Sequence, residues 1–108
     1  MPLTRSFKDT LRARAAADPA FRQALLQEAV QALLEGDAQT GRAVLRDYIN
    51  ATVGFERLAE MTGTPVKSLM RMFGPRGNPQ ARHLLAVLDA VQRATGVRLE
   101  VRATGKAA

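Results

Sequence analysis

The chain of 108 residues contains no cysteine and no tryptophan, and aromatic residues make up only 5% of it. The absence of cysteine excludes disulfide bonds and cysteine-rich metal sites. No run approaches the roughly 18 apolar residues of a membrane span, and residues 1–10 lack the apolar stretch of a signal peptide. We therefore expect a cytoplasmic protein whose core is built mainly from Leu, Val, Ala and Met, a composition that suits helices.

What is present is a moderately hydrophobic and basic composition. Hydrophobic residues make up 46% of the chain, which is too many for disorder by composition, and the length predicts one domain over residues 1–108. Sixteen Lys and Arg against ten Asp and Glu give a net charge of +6. A basic balance in a small chain favours a polyanionic partner, although the charge could also serve solubility alone. The position of the charge therefore matters more than its total.

Two N-terminal helices are predicted in residues 1–36. Ser6 is expected to begin the first helix in the manner of a capping box. Asp18 and Pro19 end it and begin the second helix, as N-cap and first helical residue, and Gly36 ends the second helix. These helices could wrap a partner protein, brace a dimer, or belong to the core of the fold itself, which is the interpretation we prefer.

Four further helices are predicted in a core region, residues 37–96. Each is bounded by residues that cap helices or turn the chain. The first of them is capped by Asp37. The second is Phe55–Thr62, which follows Gly54, and the third is Pro65–Phe73, with Thr64 as its N-cap. Asn78 and Pro79 begin the fourth, and Gly96 ends it. The stretch 74–77, Gly-Pro-Arg-Gly, predicts an irregular loop before the last of these helices.

Residues 97–102 change the period of the hydrophobic pattern. Val97, Leu99 and Val101 alternate with charged residues, which predicts a short half-buried strand. An isolated strand is not stable, so its simplest partner is its own copy in a homodimer. The alternative is a frayed tail that lies on the helices. Residues 103–108 are predicted to be a disordered tail.

The helices Phe55–Thr62 and Pro65–Phe73 have the spacing of a helix-turn-helix. Ala59 provides the small side chain that lets the two helices cross closely. Gly63, four residues later, can adopt the left-handed conformation that the turn often needs. Leu69 and Met72, six and nine positions after Gly63, then fill the angle between the helices. The predicted fold class is all-α, a helix-turn-helix bundle with extra N-terminal helices and one short C-terminal strand.

The outer face of the second of these helices is the predicted DNA-binding surface. A recognition helix presents its N-terminal residues to base edges in the major groove, and Lys or Arg can bind guanine or phosphate. The predicted DNA-binding residues are Val66, Lys67, Ser68, Met70 and Arg71 on the helix, with Arg76, Asn78 and Arg82 after it as phosphate contacts. Four Lys or Arg and no acidic residue lie between Met61 and Leu88. The alternative is a helical hairpin that packs only against protein.

Three stretches of the sequence carry a family resemblance: residues 55–63 (FERLAEMTG), residues 67–72 (KSLMRM) and residues 77–79 (GNP). Together with the ending from Leu84 to Val101 and the upstream residues 35–37 and 45–47, they resemble the HigA-like antitoxins. These addiction-module antidote proteins belong to the λ-repressor-like (XRE) helix-turn-helix superfamily, and the resemblance covers about two-thirds of the chain. It implies a five-helix DNA-binding core that acts as a dimer on operator DNA, often with a RelE-like ribonuclease toxin as partner.

No residue pattern predicts an enzyme, a metal site or a cofactor. His83 is the only histidine, and without cysteine or a second histidine it cannot anchor a zinc site of the usual kind. We therefore predict a sequence-specific, homodimeric transcriptional regulator that binds double-stranded DNA, as an antitoxin that represses its own operon. The alternative is a protein-binding module that caps a toxin or another subunit without binding DNA.

Overall fold

The computed structural model describes residues 3–105, in which there are six α-helices and no β-strand. The predicted all-α class is therefore confirmed for this part of the chain. The helices are α1 (Leu3–Ala17), α2 (Pro19–Leu34), α3 (Ala38–Ala51), α4 (Phe55–Thr62), α5 (Val66–Met72) and α6 (Ala81–Thr95). None of these helices is long and apolar enough to cross a membrane.

Side-chain caps set the start of α2 and the start of α3. The carboxylate of Asp18 accepts the backbone N–H groups of Ala20 (3.0 Å) and Phe21 (3.2 Å) at the start of α2. The carboxylate of Asp37 accepts the N–H of Thr40 (3.2 Å) at the start of α3. Both predicted N-caps are confirmed, because a side-chain acceptor satisfies N–H groups that the first helical turn leaves free.

The predicted start of α1 is wrong. This helix begins at Leu3, so Ser6 lies inside it rather than at its N-cap. At its other end, Arg22 of α2 donates to the backbone carbonyls of Ala15 and Ala16. These bonds satisfy carbonyl groups at the C-terminal end of α1 and fix the corner between α1 and α2.

The hydrophobic core lies between α2, α3, α4, α5 and α6, and α2 packs most extensively on α3. Its central side chains are fully buried, and they include Leu26, Leu45, Tyr48, Ile49, Leu58, Leu69 and Val91. Because α2 contributes Leu26 and Ala29 to this cluster, it is part of the core rather than an arm that extends from it. Of the described side chains in α1, only Ala15 is buried.

A hydroxyl group joins α3 to the end of α6. The Tyr48 hydroxyl donates to Thr95 Oγ1 (3.0 Å), and the Thr95 hydroxyl donates to the carbonyl of Val91 (2.8 Å). Thr95 Oγ1 also accepts the N–H of Val97 (3.4 Å). The Thr95 hydroxyl thereby uses its one donor and both of its acceptor positions, and it fixes the point at which the chain leaves α6.

The strand predicted at Val97–Val101 is absent from residues 3–105, where this segment has no regular secondary structure. A strand needs a second strand with which to exchange backbone hydrogen bonds, and no described segment of the chain provides one. The N–H of Leu99 instead donates to the side-chain oxygen of Gln92 (2.8 Å). The segment therefore lies on the helices, as the alternative interpretation expected. In the predicted tail 103–108, residues 103–105 are exposed and irregular, and residues 106–108 lie outside the described part.

Candidate nucleic-acid interface

Helices α4 and α5 are joined by three residues, 63–65, and meet over a shared apolar contact. Gly63 ends α4 with φ +73°, a left-handed conformation that glycine adopts at little cost, and its N–H donates to the carbonyl of Ala59 (2.8 Å). Leu58 and Leu69 are fully buried between the helices. The Phe55 ring from α4 contacts that of Phe73, directly after α5, with 6.3 Å between ring centroids. The orientation of α5 is therefore fixed by buried contacts.

The predicted N-cap of α5 is wrong. The helix begins at Val66 with Pro65 as its N-cap residue, and no side chain caps its N-terminal N–H groups. Thr64 cannot cap the helix because it lies one residue too early, and its own N–H donates to Thr62 Oγ1 (3.3 Å). The first turn of α5 therefore starts with Val66 and Lys67.

The outer face of α5 carries most of the predicted contact residues. Lys67 and Arg71, four residues apart and therefore neighbours on the helix surface, are both exposed. Met70 is 54% exposed, which is high for a large apolar side chain. Ser68 is half-buried, and Val66 is half-buried and packs against the core. The structure thus presents Lys67, Met70 and Arg71 outward and turns Val66 partly inward.

The loop after α5 folds back against the C-terminal end of that helix. Its turn is closed by the N–H of Gly77, which donates to the carbonyl of Gly74 (2.9 Å). A Cβ atom on Gly77 would lie 2.1 Å from the carbonyl oxygen of Met72, so only glycine fits there. The exposed residues Arg76 and Asn78 flank this contact and are held beside the end of α5.

The start of α6 differs from the prediction. Asn78 and Pro79 were expected to begin this helix, but it begins at Ala81, with Gln80 as N-cap residue and no side-chain capping bond. Gln80 still has an extended conformation, with φ −68° and ψ 151°, so helical geometry starts two residues later than the proline suggested. Arg82 lies in the first turn of α6 and is exposed.

Among residues 3–105, no carboxylate pairs with the cations of this region. We call residues 61–88 the basic segment, because they contain Lys67, Arg71, Arg76 and Arg82 and no Asp or Glu. The salt bridge found within residues 3–105, Arg93 with Asp89 on α6 (3.0 Å), lies outside this segment. Four exposed positive charges therefore lie along α5, its loop and the start of α6, with no carboxylate partner in the described part of the chain.

Sequence reasoning missed the structural role of Gly77. The stretch 74–77 was predicted to be an irregular loop, but not one that packs on α5. The sequence shows only that this loop contains two glycines, Gly74 and Gly77. Gly74 would tolerate a Cβ at ordinary contact distances of 3.4–3.5 Å, whereas Gly77 would not, and only three-dimensional packing distinguishes the two.

Among the described residues, two titratable groups have displaced pKa values, and both lie in α3 or at its N-cap, outside the basic segment. Hydrogen bonds from the side chain and backbone N–H of Thr40 lower the pKa of Asp37. Burial raises the pKa of Tyr48, against the smaller lowering effects of the Thr95 hydrogen bond and the Arg22 charge. Within residues 3–105 there is no group of three His, Cys, Asp or Glu side chains that could hold a metal ion.

Comparisons with family models, with curated proteins and with solved structures give no match for this chain.

Proposed function

We propose that the protein is a sequence-specific DNA-binding regulator in which α4 and α5 form a helix-turn-helix and α5 is the recognition helix. The observation that supports this most strongly is the basic segment, with four exposed cations and no carboxylate between Glu60 and Asp89. Phosphate groups are the partners that such an arrangement favours, since neutralised phosphates release counterions. Buried contacts fix α5, so the backbone positions from which its outward side chains extend are defined.

The contact residues divide into two roles. Lys67, Ser68, Met70 and Arg71 lie on α5, where a recognition helix meets base edges in the major groove. Arg76, Asn78 and Arg82 follow α5, where contacts to phosphates would fix the orientation of the protein on the duplex. We assign Val66 a minor part, because its side chain packs partly against the core.

We further propose that the protein acts as a homodimer and, from its resemblance to HigA-like antitoxins, that it represses its own operon beside a RelE-like toxin. Two recognition helices about 34 Å apart can reach successive turns of the major groove. The neighbouring gene is a direct check on the toxin. A short basic reading frame whose product copurifies with this chain supports an antitoxin, and a neighbour that does not bind it contradicts this part of the proposal.

The DNA-binding proposal is tested with a duplex selected from a random pool by the full-length protein. Arg71→Ala should cost about 1–3 kcal/mol of binding free energy, which is about 5- to 150-fold in affinity, and should relax the sequence preference. Arg76→Ala should weaken binding to all sequences alike and lower the salt slope by roughly 1.

The matched control is Arg102→Ala, which removes the same charge from an exposed position outside the basic segment. This variant should bind DNA like the wild type. If the selection yields no duplex, or if Arg102→Ala weakens binding as much as Arg71→Ala, then α5 is not a recognition helix.

A second candidate function is that of a protein-binding module without DNA affinity. It is favoured by a groove on α2 that is lined by Glu28, Glu35 and Asp37 and by no Lys or Arg. Such a surface repels phosphate and suits a cationic protein. Copurification of a basic protein with a chain that selects no DNA would favour this candidate over the first.

A further inference from the structure

The C-terminal segment, residues 97–102, alternates in burial although it pairs with no strand of its own chain. Val97 is buried and Leu99 is half-buried against the core, whereas Arg98 and Glu100 are exposed. Val101 continues the apolar series but is 85% exposed. A half-buried strand has this period of two. The last apolar residue of the segment, Val101, is not covered by residues 3–105.

The backbone of this segment uses only one of its two edges. The N–H of Val97 donates to Thr95 Oγ1 (3.4 Å), and the N–H of Leu99 donates to Gln92 Oε1 (2.8 Å). Both acceptors lie on α6, and in a chain whose burial alternates with a period of two, successive N–H groups point to opposite edges; we therefore expect the N–H groups of the intervening residues to point away from α6. No hydrogen bond from any described residue reaches the backbone of those intervening residues. This second edge can therefore pair with another strand.

A groove of about 650 Å³ lies between the C-terminal segment and α2. Its α2 side includes Val30 and Leu34, and Leu34 is 68% exposed. Gln92, which binds the first edge of the segment, does not line the groove. The groove therefore borders the segment on a side that Gln92 does not occupy, where it would offer a further strand a partly apolar floor.

We propose that the C-terminal segment pairs antiparallel with the same segment of a second copy, with the two-fold axis next to Leu99. In this register Arg98 lies opposite Glu100 of the partner subunit, and Glu100 lies opposite the partner's Arg98. On the other face Val97 lies opposite the partner's Val101, and the two Leu99 side chains face each other. The pairing covers Val101 and places two pairs of opposite charges across the strands.

The neighbouring registers are disfavoured by charge or by loss of apolar contact. A shift by one residue would place apolar side chains opposite charged ones. Shifts by two would place either Arg98 opposite the partner's Arg98 or Glu100 opposite the partner's Glu100, and like charges directly opposite are destabilising. A shift by four would restore opposite charges between Glu100 and Arg102, but Leu99 would then face the partner's Ala103. Charge and burial thus agree on one register.

This inference deepens the proposed function and rests on it for one point, the reason why a dimer is needed. Symmetric DNA sites are bound by symmetric dimers. The pairing itself is measured without DNA. Sedimentation equilibrium of the full-length protein should show a wild-type dimer. Arg98→Glu and Glu100→Arg should each raise the dimer dissociation constant by about fivefold or more, because each places like charges opposite each other at two positions.

The double variant Arg98→Glu/Glu100→Arg should restore the wild-type dissociation constant to within about twofold, because it exchanges the charges across the strands. The matched control is Arg102→Glu, since residue 102 lies opposite the uncharged Gly96 of the partner subunit and should leave the dimer unchanged. A monomer at the highest soluble concentration, or a dimer that no charge variant weakens, overturns the proposal. Equal weakening by Arg102→Glu overturns the register.

A cysteine cross-link provides a second test. Since the N–H of Leu99 is bound within the chain, the two Leu99 residues form a non-hydrogen-bonded pair with about 4.5 Å between Cα atoms, within the range of a disulfide. Leu99→Cys should give a disulfide-linked dimer on mild oxidation. Val101→Cys should not, because its two copies would lie about 13 Å apart along the strands. The reverse result overturns the register.

The two proposals fail in distinguishable ways. A dimer that responds to the charge exchange but selects no DNA would refute the proposed function and leave the pairing intact. A protein that binds DNA, but whose dimer does not respond to the charge exchange, would refute the pairing and leave the proposed function intact.

Discussion

The basic segment and the C-terminal segment both expose charged residues, but they arrange them in opposite ways. Residues 61–88 carry four cations and no carboxylate, whereas residues 97–102 alternate Arg98, Glu100 and Arg102. A surface with charge of one sign repels its own copy and attracts a polyanion. A strand with alternating signs can instead complement its own copy. If both proposals hold, DNA and a second copy of the chain would meet this protein at two separate places.

The largest loss in the free energy of unfolding is expected from Gly77→Ala in the basic segment. The added Cβ would lie 2.1 Å from the carbonyl oxygen of Met72, so the loop must move away from α5. Such overpacking typically costs about 1–3 kcal/mol of the free energy of unfolding. Urea unfolding should detect this loss, and DNA binding should weaken because Arg76 loses its fixed position.

The control for this prediction lies three residues earlier in the same loop. Gly74→Ala makes the same chemical change, but its Cβ would meet backbone oxygens only at 3.4–3.5 Å. It should leave unfolding and DNA binding close to those of the wild type. Equal losses in the two variants would mean that the loop does not pack on α5 as described.

A smaller effect is expected where the C-terminal segment leaves α6. Tyr48→Phe removes the hydrogen bond to Thr95 (3.0 Å), and the loss of such a bond lowers the free energy of unfolding by about 0.5–1.5 kcal/mol. Because Thr95 Oγ1 also accepts the N–H of Val97, the variant should also weaken the dimer slightly. An unchanged unfolding curve would contradict this role for the hydroxyl.

Alkaline pH should also lower the free energy of unfolding of the wild-type protein through Tyr48. Burial raises the pKa of Tyr48, so above the usual tyrosine value of about 10 the unfolded chain loses this proton before the folded chain does. The free energy of unfolding should therefore fall as pH rises through this range, and Tyr48→Phe should lack this component. The chain has one tyrosine and no tryptophan, so tyrosinate absorbance measures this group alone.

The smallest effect concerns the apolar side chain within the basic segment. Met70 is 54% exposed between Lys67 and Arg71, and an apolar side chain on a recognition helix can contact the methyl group of thymine. Replacing the contacted thymine by deoxyuridine in the selected duplex should weaken wild-type binding by at most about 0.8 kcal/mol, or about fourfold. Met70→Ala should not respond to this replacement. If no thymine position matters, then Met70 does not read DNA.

The sequence predicted the helices best where a side chain or a glycine sets the boundary locally. Asp18, Asp37, Gly63 and Gly96 lie at the predicted helix ends because each acts on backbone groups within a few residues. Phe55–Thr62 was predicted without error for the same reason. Prolines were less reliable, since Pro79 fixes its own φ but does not force the next residue into a helix.

The features that sequence could not give are those that depend on distant parts of the chain. The close approach of Gly77 to Met72 follows from how the loop folds back on α5, and the two glycines of that loop look alike in the sequence. The C-terminal segment has the pattern of a strand, but a pattern does not supply a second strand. For the candidate site, sequence identified the outward cations, while the partial burial of Val66 depends on packing against the core.

Helix α6 connects the two regions compared above, since Arg82 lies in its first turn and Gly96 ends it. Its 15 residues make a rod about 22 Å long, with no proline or glycine along it that would allow a kink. Two subunits joined next to Leu99 would therefore hold their DNA-facing ends at a fixed spacing, set by a helix rather than by a loop. The length of α6 would therefore determine how far apart the two halves of a bound DNA site must be.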